Sequence, residues 1–483
     1  MKKAPRVLAA LLAALLLASC GSGTTQTDGT SNSTGETSTE SEETKDPLMD
    51  DLGEYDFGGY EYRVLSAEYD PNGTFVLFDT EEETGEVLVD SLYKRNREIE
   101  ERFNIKFVAS EDNYDNNFKT LRQTALAQED AYDMIMLINR NAFSVAVEGL
   151  LMPVSKLTHL NLEKDYYLHD INDALTINGK RFLVYSEESV YTFERAAVMA
   201  FNKKLADDLR IDDLYKSVED GKWTNDMMFT YAEMATKDID GDGTLTKDDQ
   251  WGITGHNSYV YPTFWLSANE TIIKKDKDDI PYINSMTSEK FDSIVSMLID
   301  KRNSGKIFNT NDDVGKVNEY FMNDKALFIS TVVGRLFAFR DMKTDFGVIP
   351  YPKYDEAQDR YYTGVVDAWL HVVPVTNPDP ERTSVIMEAL ASGSARYVFP
   401  AYYEKAMSQK VLRDEKSVEM MELIQSTRII DMGQCPWNDT FVVPYLYQVI
   451  LGQSDQLASL NASIKDKALA TIQEAIDFAG TLE

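Results

Sequence analysis

The residues with the most specific chemical pattern form one acidic loop. Segment 238–249 has aspartate at positions one, three and five, glycine at six and aspartate at twelve. This spacing is typical of an EF-hand-type loop, in which carboxylates converge on a hard cation because the glycine permits a sharp turn. The loop predicts a structural Ca²⁺ site, and an Asp/Gly-rich turn without metal is the alternative. The predicted ligands are Asp238, Asp240, Asp242, the backbone carbonyl of Thr244, and Asp249.

Motifs of the common enzyme classes are absent from the sequence. It has no GxSxG, P-loop, GxGxxG or HExxH motif, and its four histidines are scattered. Cys435 has no identifiable histidine or lysine partner and is interpreted as a buried structural thiol. A pair of catalytic carboxylates, as a glycan hydrolase requires, stays open because 81 Asp and Glu residues offer many pairs.

Aromatic residues gather in short segments of the sequence. Rings that stack on sugar C–H surfaces, beside carboxylates and arginines that bind hydroxyls, are typical of carbohydrate pockets. Ordinary core packing is the alternative for each ring. The segments contain Tyr259, Tyr261, Phe264 and Trp265, then Tyr361, Tyr362, Asp367 and Trp369, then Tyr402 and Tyr403.

The N-terminus is typical of a bacterial lipoprotein. Residues 1–19 combine a basic start with an apolar run that is too short to span a membrane, which predicts a signal peptide. Residues 17–20 resemble a lipobox, in which the thiol of Cys20 takes the diacylglyceryl group and palmitate follows. Residues 20–54 then provide the lipidated cysteine and a Ser/Thr/Gly/Glu-rich flexible tether. We expect a lipid anchor at the extracellular face of the bacterial cell membrane.

The elements that must position these residues alternate between strands and helices, which indicates an α/β body. Segment 134–138 predicts a buried parallel strand, and Asn202, Thr224 and Ser288 are predicted helix N-caps. The chain has 483 residues and a net charge of −33. Two lobes are expected at this length, and the charge argues against a nucleic-acid partner because like charges repel.

Anchor, tether and α/β body together resemble an extracellular solute-binding lipoprotein of an ABC importer, of the maltose-binding-protein-like type (family 1). Each motif alone has little specificity, but their order and spacing match the family. They are Asp90–Asn96, Ile99–Ile105, Ala197–Leu205, Gly221–Thr224, Phe321–Phe328 and Phe346–Pro352.

The resemblance implies an α/β, two-lobed, periplasmic-binding-protein-like (type II) fold with a hinge and a central ligand cleft. It implies an N-terminal lobe from 55–190 and 325–366, and a C-terminal lobe from 191–324 and 367–483. Lobe packing or a surface position is the alternative for each candidate cleft residue. The candidates by this analogy are Asn139, Arg140, Glu187, Glu188, Tyr261, Trp265, Arg335, Asp367 and Trp369.

The function implied is that of a non-catalytic receptor. It would capture a carbohydrate, such as an oligosaccharide, or another small neutral solute and deliver it to the transmembrane subunits of an ABC permease. A surface-anchored glycan hydrolase is the alternative from a different class, and a cell-surface adhesion protein is the third.

Overall fold

The computed structural model describes residues 46–68, 77–188, 190–305, 308–310, 313–407, 411–452 and 456–482. The predicted signal peptide, Cys20 and the tether up to residue 45 lie outside the described residues. Two main β-sheets and several two-stranded sheets are surrounded by helices, which confirms the α/β class.

The strands are β1 (Tyr60–Ala67), β2 (Ile105–Asp112), β3 (Met134–Ile138), β4 (Thr176–Ile177), β5 (Lys180–Arg181), β6 (Ala197–Asn202), β7 (Trp251–Gly255), β8 (Ile273–Lys275), β9 (Pro281–Ile283), β10 (Phe308–Asn309), β11 (Ala326–Val332), β12 (Phe346–Ile349), β13 (Thr363–Gly364), β14 (Trp369–Val372) and β15 (Arg428–Ile429).

The α-helices are α1 (Val87–Phe103), α2 (Tyr114–Ala127), α3 (Asn139–Val147), α4 (His169–Ala174), α5 (Tyr191–Glu194), α6 (Lys203–Asp208), α7 (Leu214–Glu219), α8 (Asn225–Ala235), α9 (Asn257–Ser267), α10 (Glu289–Asn303), α11 (Val314–Met322), α12 (Pro380–Gly393), α13 (Glu415–Ser426), α14 (Val442–Pro444) and α15 (Leu457–Ala479). Short 3-10 helices are Val154–Lys156, Asn284–Met286, Val333–Phe339 and Met432–Gln434, and π-helices are Ser394–Val398, Ala401–Met407 and Tyr445–Ile450.

The first sheet has the strand order β14-β3-β1-β2. β1 is parallel to β2 and β3, whereas β14 is antiparallel to β3. Every residue of β3 is apolar and buried, as expected of a parallel strand covered on both faces, so this predicted strand is confirmed.

The second sheet has the order β10-β7-β11-β6-β12. β7 is parallel to β10 and β11, and β6 is antiparallel to both β11 and β12. The predicted caps are confirmed: the side chains of Asn202, Thr224 and Ser288 accept hydrogen bonds from the first turns of α6, α8 and α10. Each cap fixes where the chain turns from strand or loop into helix.

In each of the two main sheets, a single strand is reversed, which means that it runs antiparallel to all the others. β6 is the reversed strand of the second sheet, and it comes after the chain segment that forms β1, β2 and β3 of the first sheet. β14 is the reversed strand of the first sheet, and it comes after the chain segment that forms β10, β11 and β12 of the second sheet. The two crossing segments lie side by side, because Ala196 and Val365 form an antiparallel bridge. This arrangement is a two-lobed fold with a hinge between the lobes.

The predicted assignment of two segments to the lobes is wrong at the level of the sheets. The segment 325–366 was expected in the N-terminal lobe, but β11 and β12 pair within the second sheet. The segment after 367 was expected in the C-terminal lobe, but β14 pairs with β3 in the first sheet. The apolar pattern of these strands shows that they are buried, and it carries no information on which neighbour they pair with.

Candidate functional site

The candidate site begins at the carboxyl end of the first sheet. Arg140 lies in the first turn of α3, directly after β3. Trp369 opens the reversed strand β14 and pairs with Ile138, so it lies at the same end. Its ring meets that of Tyr114, the first residue of α2, edge-on at a centroid distance of 5.7 Å. Ligands of open α/β sheets bind outside this end of the strands.

The carboxyl end of the second sheet provides the facing groups. His256 follows β7 and caps α9, and Arg335 lies in the 3-10 helix after β11. The reversed strand β6 pairs its first residue with the last residue of β11, which places the preceding Arg195 at this end too. Basic and aromatic side chains therefore gather at one edge of this sheet.

Asp367 connects the two edges electrostatically. Its Oδ1 lies 2.5 Å from Nη1 of Arg140, and its Oδ2 lies 3.5 Å from Nη2 of Arg195. Arg195 is also held by a 3.0 Å hydrogen bond from its Nε to the carbonyl of Val366. One carboxylate thus joins arginines that belong to opposite lobes.

The ring of Tyr259 lies within the basic group of the second sheet. The guanidinium carbons of Arg195 and Arg335 lie 5.5 and 5.8 Å from its centroid, and the His256 ring lies 5.7 Å away. Burial by itself raises the pKa of Tyr259, but the charges of Arg195 and Arg335 outweigh burial and lower the pKa below its usual value. Burial and the charge of Arg335 lower the pKa of His256. The edge is therefore electropositive.

Several predicted cleft residues have structural partners instead. Asn139 is fully buried and contacts the thiol of Cys435 at 3.7 Å. Glu187 is buried in an ion pair with Arg428 at 3.0 Å, and Glu188 lies 2.7 Å from Nδ1 of the buried His371. These three side chains therefore have partners within the molecule, and their contact with a ligand stays a prediction.

Tyr261 and Trp265 are fully buried on α9, which favours the alternative of core packing for these two rings. The hydroxyl of Tyr261 contacts Thr310 and accepts a hydrogen bond from Arg302, each at 3.1 Å. Trp265 packs against Phe291 at a centroid distance of 5.7 Å. These aromatic rings form core contacts and do not reach the cleft edge.

The structure adds Tyr114, Arg195 and His256 to the residues considered from the sequence. Each one lies within two residues of a strand end, and this position is the signal that could have identified them. Arg140, Arg335, Asp367 and Trp369 were considered, and the structure brings them to the same two edges. Their contact with a ligand remains a prediction.

The predicted metal loop lies at the opposite end of β7 from His256, between α8 and β7. Asp238, Asp240 and Asp242 each bring a carboxylate oxygen to within 4.8 Å of the others. The backbone groups of Lys237 and Gln250 exchange hydrogen bonds of 2.8 and 3.0 Å, which close the base of the loop.

The donor set of this loop fits a hard divalent cation. The pKa of Asp240 lies above its usual value. A hydrogen bond from the Asp242 backbone lowers this pKa, but burial and the carboxylates next to Asp240 outweigh that effect. The carboxylate of the buried Asp249 accepts backbone hydrogen bonds from Ile239 and Thr246 at 2.8 and 2.6 Å. Asp249 thus already orders the loop, and the backbone N–H of the exposed Thr244 donates a hydrogen bond to Oδ1 of Asp242 at 2.7 Å.

Comparison with known proteins identifies the fold class. No protein-family model and no curated protein sequence matches the chain. Solved structures do match: the chain has the two-lobed α/β fold of extracellular solute-binding proteins.

Three of these structures illustrate the likeness. A solute-binding protein from Staphylococcus aureus in complex with maltose aligns with a TM-score of 0.59 and 12% identity, over 86% of this chain and 98% of that one. A cyclo/maltodextrin-binding protein complexed with maltotetraose gives 0.57 and 14%, over 89% and 98%. The maltodextrin-binding domain MalE from Bdellovibrio bacteriovorus bound to maltotriose gives 0.55 and 14%, over 87% and 98%.

Among the described residues, no helix is both long and apolar enough to cross a bilayer.

Proposed function

We propose that the protein is a membrane-anchored substrate-binding protein of an ABC importer that captures a carbohydrate and delivers it to the permease. The observation that carries this proposal is the meeting of polar and aromatic groups at the facing carboxyl ends of two sheets joined by a hinge. The likeness to binding proteins complexed with malto-oligosaccharides supports it.

The first lobe would provide the surface for sugar rings. Trp369 and Tyr114 are both only partly buried, so their ring faces and edges are available to the C–H surface of a pyranose. Arg140 and Asp367 retain about a third of their side-chain exposure, 32% and 36%, and can bind sugar hydroxyls beside the rings. Closing the hinge would bring the second lobe onto the opposite side of the ligand.

Ligand-induced stabilisation tests this proposal. The purified protein would be heated with a panel of oligosaccharides, and binding would be measured by calorimetry. A binding protein is stabilised by its ligand in proportion to the logarithm of concentration over Kd. The expected result is a rise in melting temperature with at least one oligosaccharide and one-to-one stoichiometry. If peptides stabilise the protein and none of the sugars does, the proposal that the ligand is a carbohydrate would be contradicted.

Turnover distinguishes the proposal from a glycan hydrolase. Hydrolysis needs two carboxyl groups that flank the scissile bond. Asp367 is held between two arginines at the hinge, an arrangement that suits ligand binding. We expect bound oligosaccharide to be recovered intact after long incubation. Sustained release of new reducing ends would favour the hydrolase.

The location at the outer face of the membrane is a further part of the proposal. It rests on the lipobox and on the absence of other apolar spans in the sequence. Metabolic labelling with a palmitate analogue, followed by fractionation, tests it. We expect label in the membrane fraction for the native sequence and unlabelled protein for Cys20→Ala. Equal labelling of both proteins would contradict lipidation at Cys20.

We also propose that Ca²⁺ binds the loop 238–249 and stabilises the second lobe. Asp238, Asp240 and Asp242 would hold the ion, and the turn at Gly243 would bring the three carboxylates together. The position between α8 and β7, away from His256, supports a structural role.

A further inference from the structure

The cleft contains more basic than acidic groups where the lobes meet. We infer that the captured carbohydrate is acidic and that its carboxylate or sulfate binds Arg335 and Arg195 beside Tyr259. This inference rests on the proposed capture of a carbohydrate and defines its chemical class. It differs from the neutral solute expected from the sequence.

The ion pairs of the cleft leave one guanidinium without an acidic partner. Asp367 is shared by Arg140 and Arg195. Arg335 forms no ion pair within the described ranges, and its buried Nε has no hydrogen-bond partner there. A buried donor of a charged group is costly when unpaired, so a ligand that accepts from it gains the corresponding free energy.

Two further carboxylates, Glu194 and Asp313, influence the side chains of this basic group. Glu194 is buried, and burial together with the charge of Glu194 raises the pKa of Tyr402 well above its usual value. Asp313 is an exposed cap of α11, where it accepts from the backbone of Lys316 at 3.0 Å and lies 3.8 Å from the Lys316 ammonium. Neither carboxylate forms an ion pair with Arg335 within the part of the chain that the structure describes.

Arginine chemistry favours an anion over a neutral hydroxyl at this position. A guanidinium presents paired N–H donors that match two oxygens of a carboxylate or sulfate, and such charge-assisted bonds are about twice as strong as neutral ones. Asn257 follows His256 at the start of α9, and its buried Oδ1 has no partner among the described residues, so it can accept a hydrogen bond from a sugar hydroxyl.

The acidity of the whole protein does not prevent anion binding here. The chain carries a net charge of −33, but exposed charges are screened beyond about 8 Å at physiological ionic strength. The arginines next to the ligand therefore dominate its binding energy. The distant acidic surface reduces the association rate more than the affinity.

The test compares acidic and neutral sugars of matched size. Calorimetry would use trigalacturonate, its carboxyl-reduced counterpart, sulfated and glucuronate-containing oligosaccharides, and neutral malto-oligosaccharides. We expect an acidic ligand to bind at least tenfold more tightly than its neutral counterpart. A comparison of the affinities for the uronate-containing and the sulfated oligosaccharides identifies which anion the cleft prefers.

Two variants test whether Arg335 is responsible for this preference for acidic sugars. Arg335→Gln is expected to reduce the acidic-over-neutral preference by about tenfold, equivalent to about 1.4 kcal/mol. Arg340→Gln is the matched control, because Arg340 is exposed directly after the same 3-10 helix and pairs with Asp341. It should leave the preference unchanged. Circular dichroism would verify that both variants fold.

The outcomes separate this inference from the proposed function. Binding of neutral oligosaccharides as tightly as acidic ones overturns the inference and leaves carbohydrate capture intact. Binding of neither class overturns both. An acidic preference that Arg335→Gln does not reduce also overturns the inference, because the anion would then bind elsewhere.

Discussion

Oδ1 of Asp367 lies 2.5 Å from Nη1 of Arg140, and Asp367 holds this position with a left-handed backbone φ of +54°. The pair connects the carboxyl end of β3 with the segment by which the chain returns from the second lobe. Aspartate and asparagine tolerate the left-handed region better than other residues with a Cβ. Residue 367 therefore has both a backbone and an electrostatic role at the hinge.

The backbone role predicts an order of stability for two variants. Asp367→Ala should reduce the free energy of unfolding by about 1–2 kcal/mol through the left-handed conformation, plus less than about 1 kcal/mol for the partly exposed ion pair. Asp367→Asn should lose only the second contribution. Urea unfolding measures both. Equal losses in the two variants would show that the conformation contributes nothing.

Trp369 and Trp265 should respond to substitution in opposite ways. Trp369→Ala is expected to raise the Kd for the sugar at least tenfold, with little change in melting temperature, because the ring is half-buried at the cleft. Trp265→Ala should cost about 3–5 kcal/mol of stability because its ring is fully buried. Calorimetry and thermal unfolding measure these effects. Tyr282→Ala, an exposed aromatic on β9, is the control.

Part of this fold can be predicted from local patterns in the sequence. The α/β class, the buried strand β3 and the helix caps follow from local patterns of apolar and capping residues, and the structure confirms them. The division into sheets does not follow, because β11 and β14 are equally apolar whichever neighbour they pair with. Pairing is decided by contacts between segments that are distant along the chain.

The site could be predicted only in part for a related reason. Strand ends identify Arg140 and Arg335, since side chains at these positions face the cleft whatever their partners are. Glu187 and Glu188 lie in a turn before the crossover to β6, and Arg428 and His371 pair with them from distant parts of the sequence. Trp265 lies on a helix that is buried on all sides, so its pattern has no apolar stripe that separates core from cleft.

The buried carboxyl of Asp431 predicts a pH dependence of stability. Burial raises its pKa from 3.8 to about 6, although the backbone N–H groups of Ile272, Gly433 and Ile273 oppose this. Between these values the folded chain binds more protons than the unfolded chain at this site, so the contribution to stability falls as pH rises. Other carboxylates contribute in the opposite direction, so the comparison must be made against a variant.

Asp431→Asn should remove this contribution. The difference in unfolding free energy between native protein and variant should fall by roughly 2–3 kcal/mol between pH 4 and pH 6.5. Chemical unfolding across this range provides the measurement. A difference that does not change with pH would mean that Asp431 is ionised in the folded protein at pH 4.

Cys435 should be unreactive in the folded protein. Burial and the nearby charge of Asp431 raise the pKa of its thiol well above the ordinary value, and the reactive form of a cysteine is the thiolate. We expect negligible labelling by a maleimide at pH 7 in native conditions and complete labelling in urea. Rapid labelling of the native protein would show an accessible thiolate and would reopen a chemical role for this residue.

The acidic loop predicts that chelation destabilises the protein. Removal of Ca²⁺ should lower the melting temperature, and added Ca²⁺ should restore it, since a ligand at one hundred times its Kd stabilises by about 2.7 kcal/mol. Asp240→Asn should abolish this response because Asp240 belongs to the carboxylate group. Asp248→Asn is the control: it lies in the same loop, but its carboxylate is exposed and 3.4 Å from Lys325.

Because the loop begins at the opposite end of β7 from the cleft, sugar affinity in excess Ca²⁺ should not change in either variant. Identical calcium responses in the two variants would contradict binding by this carboxylate group.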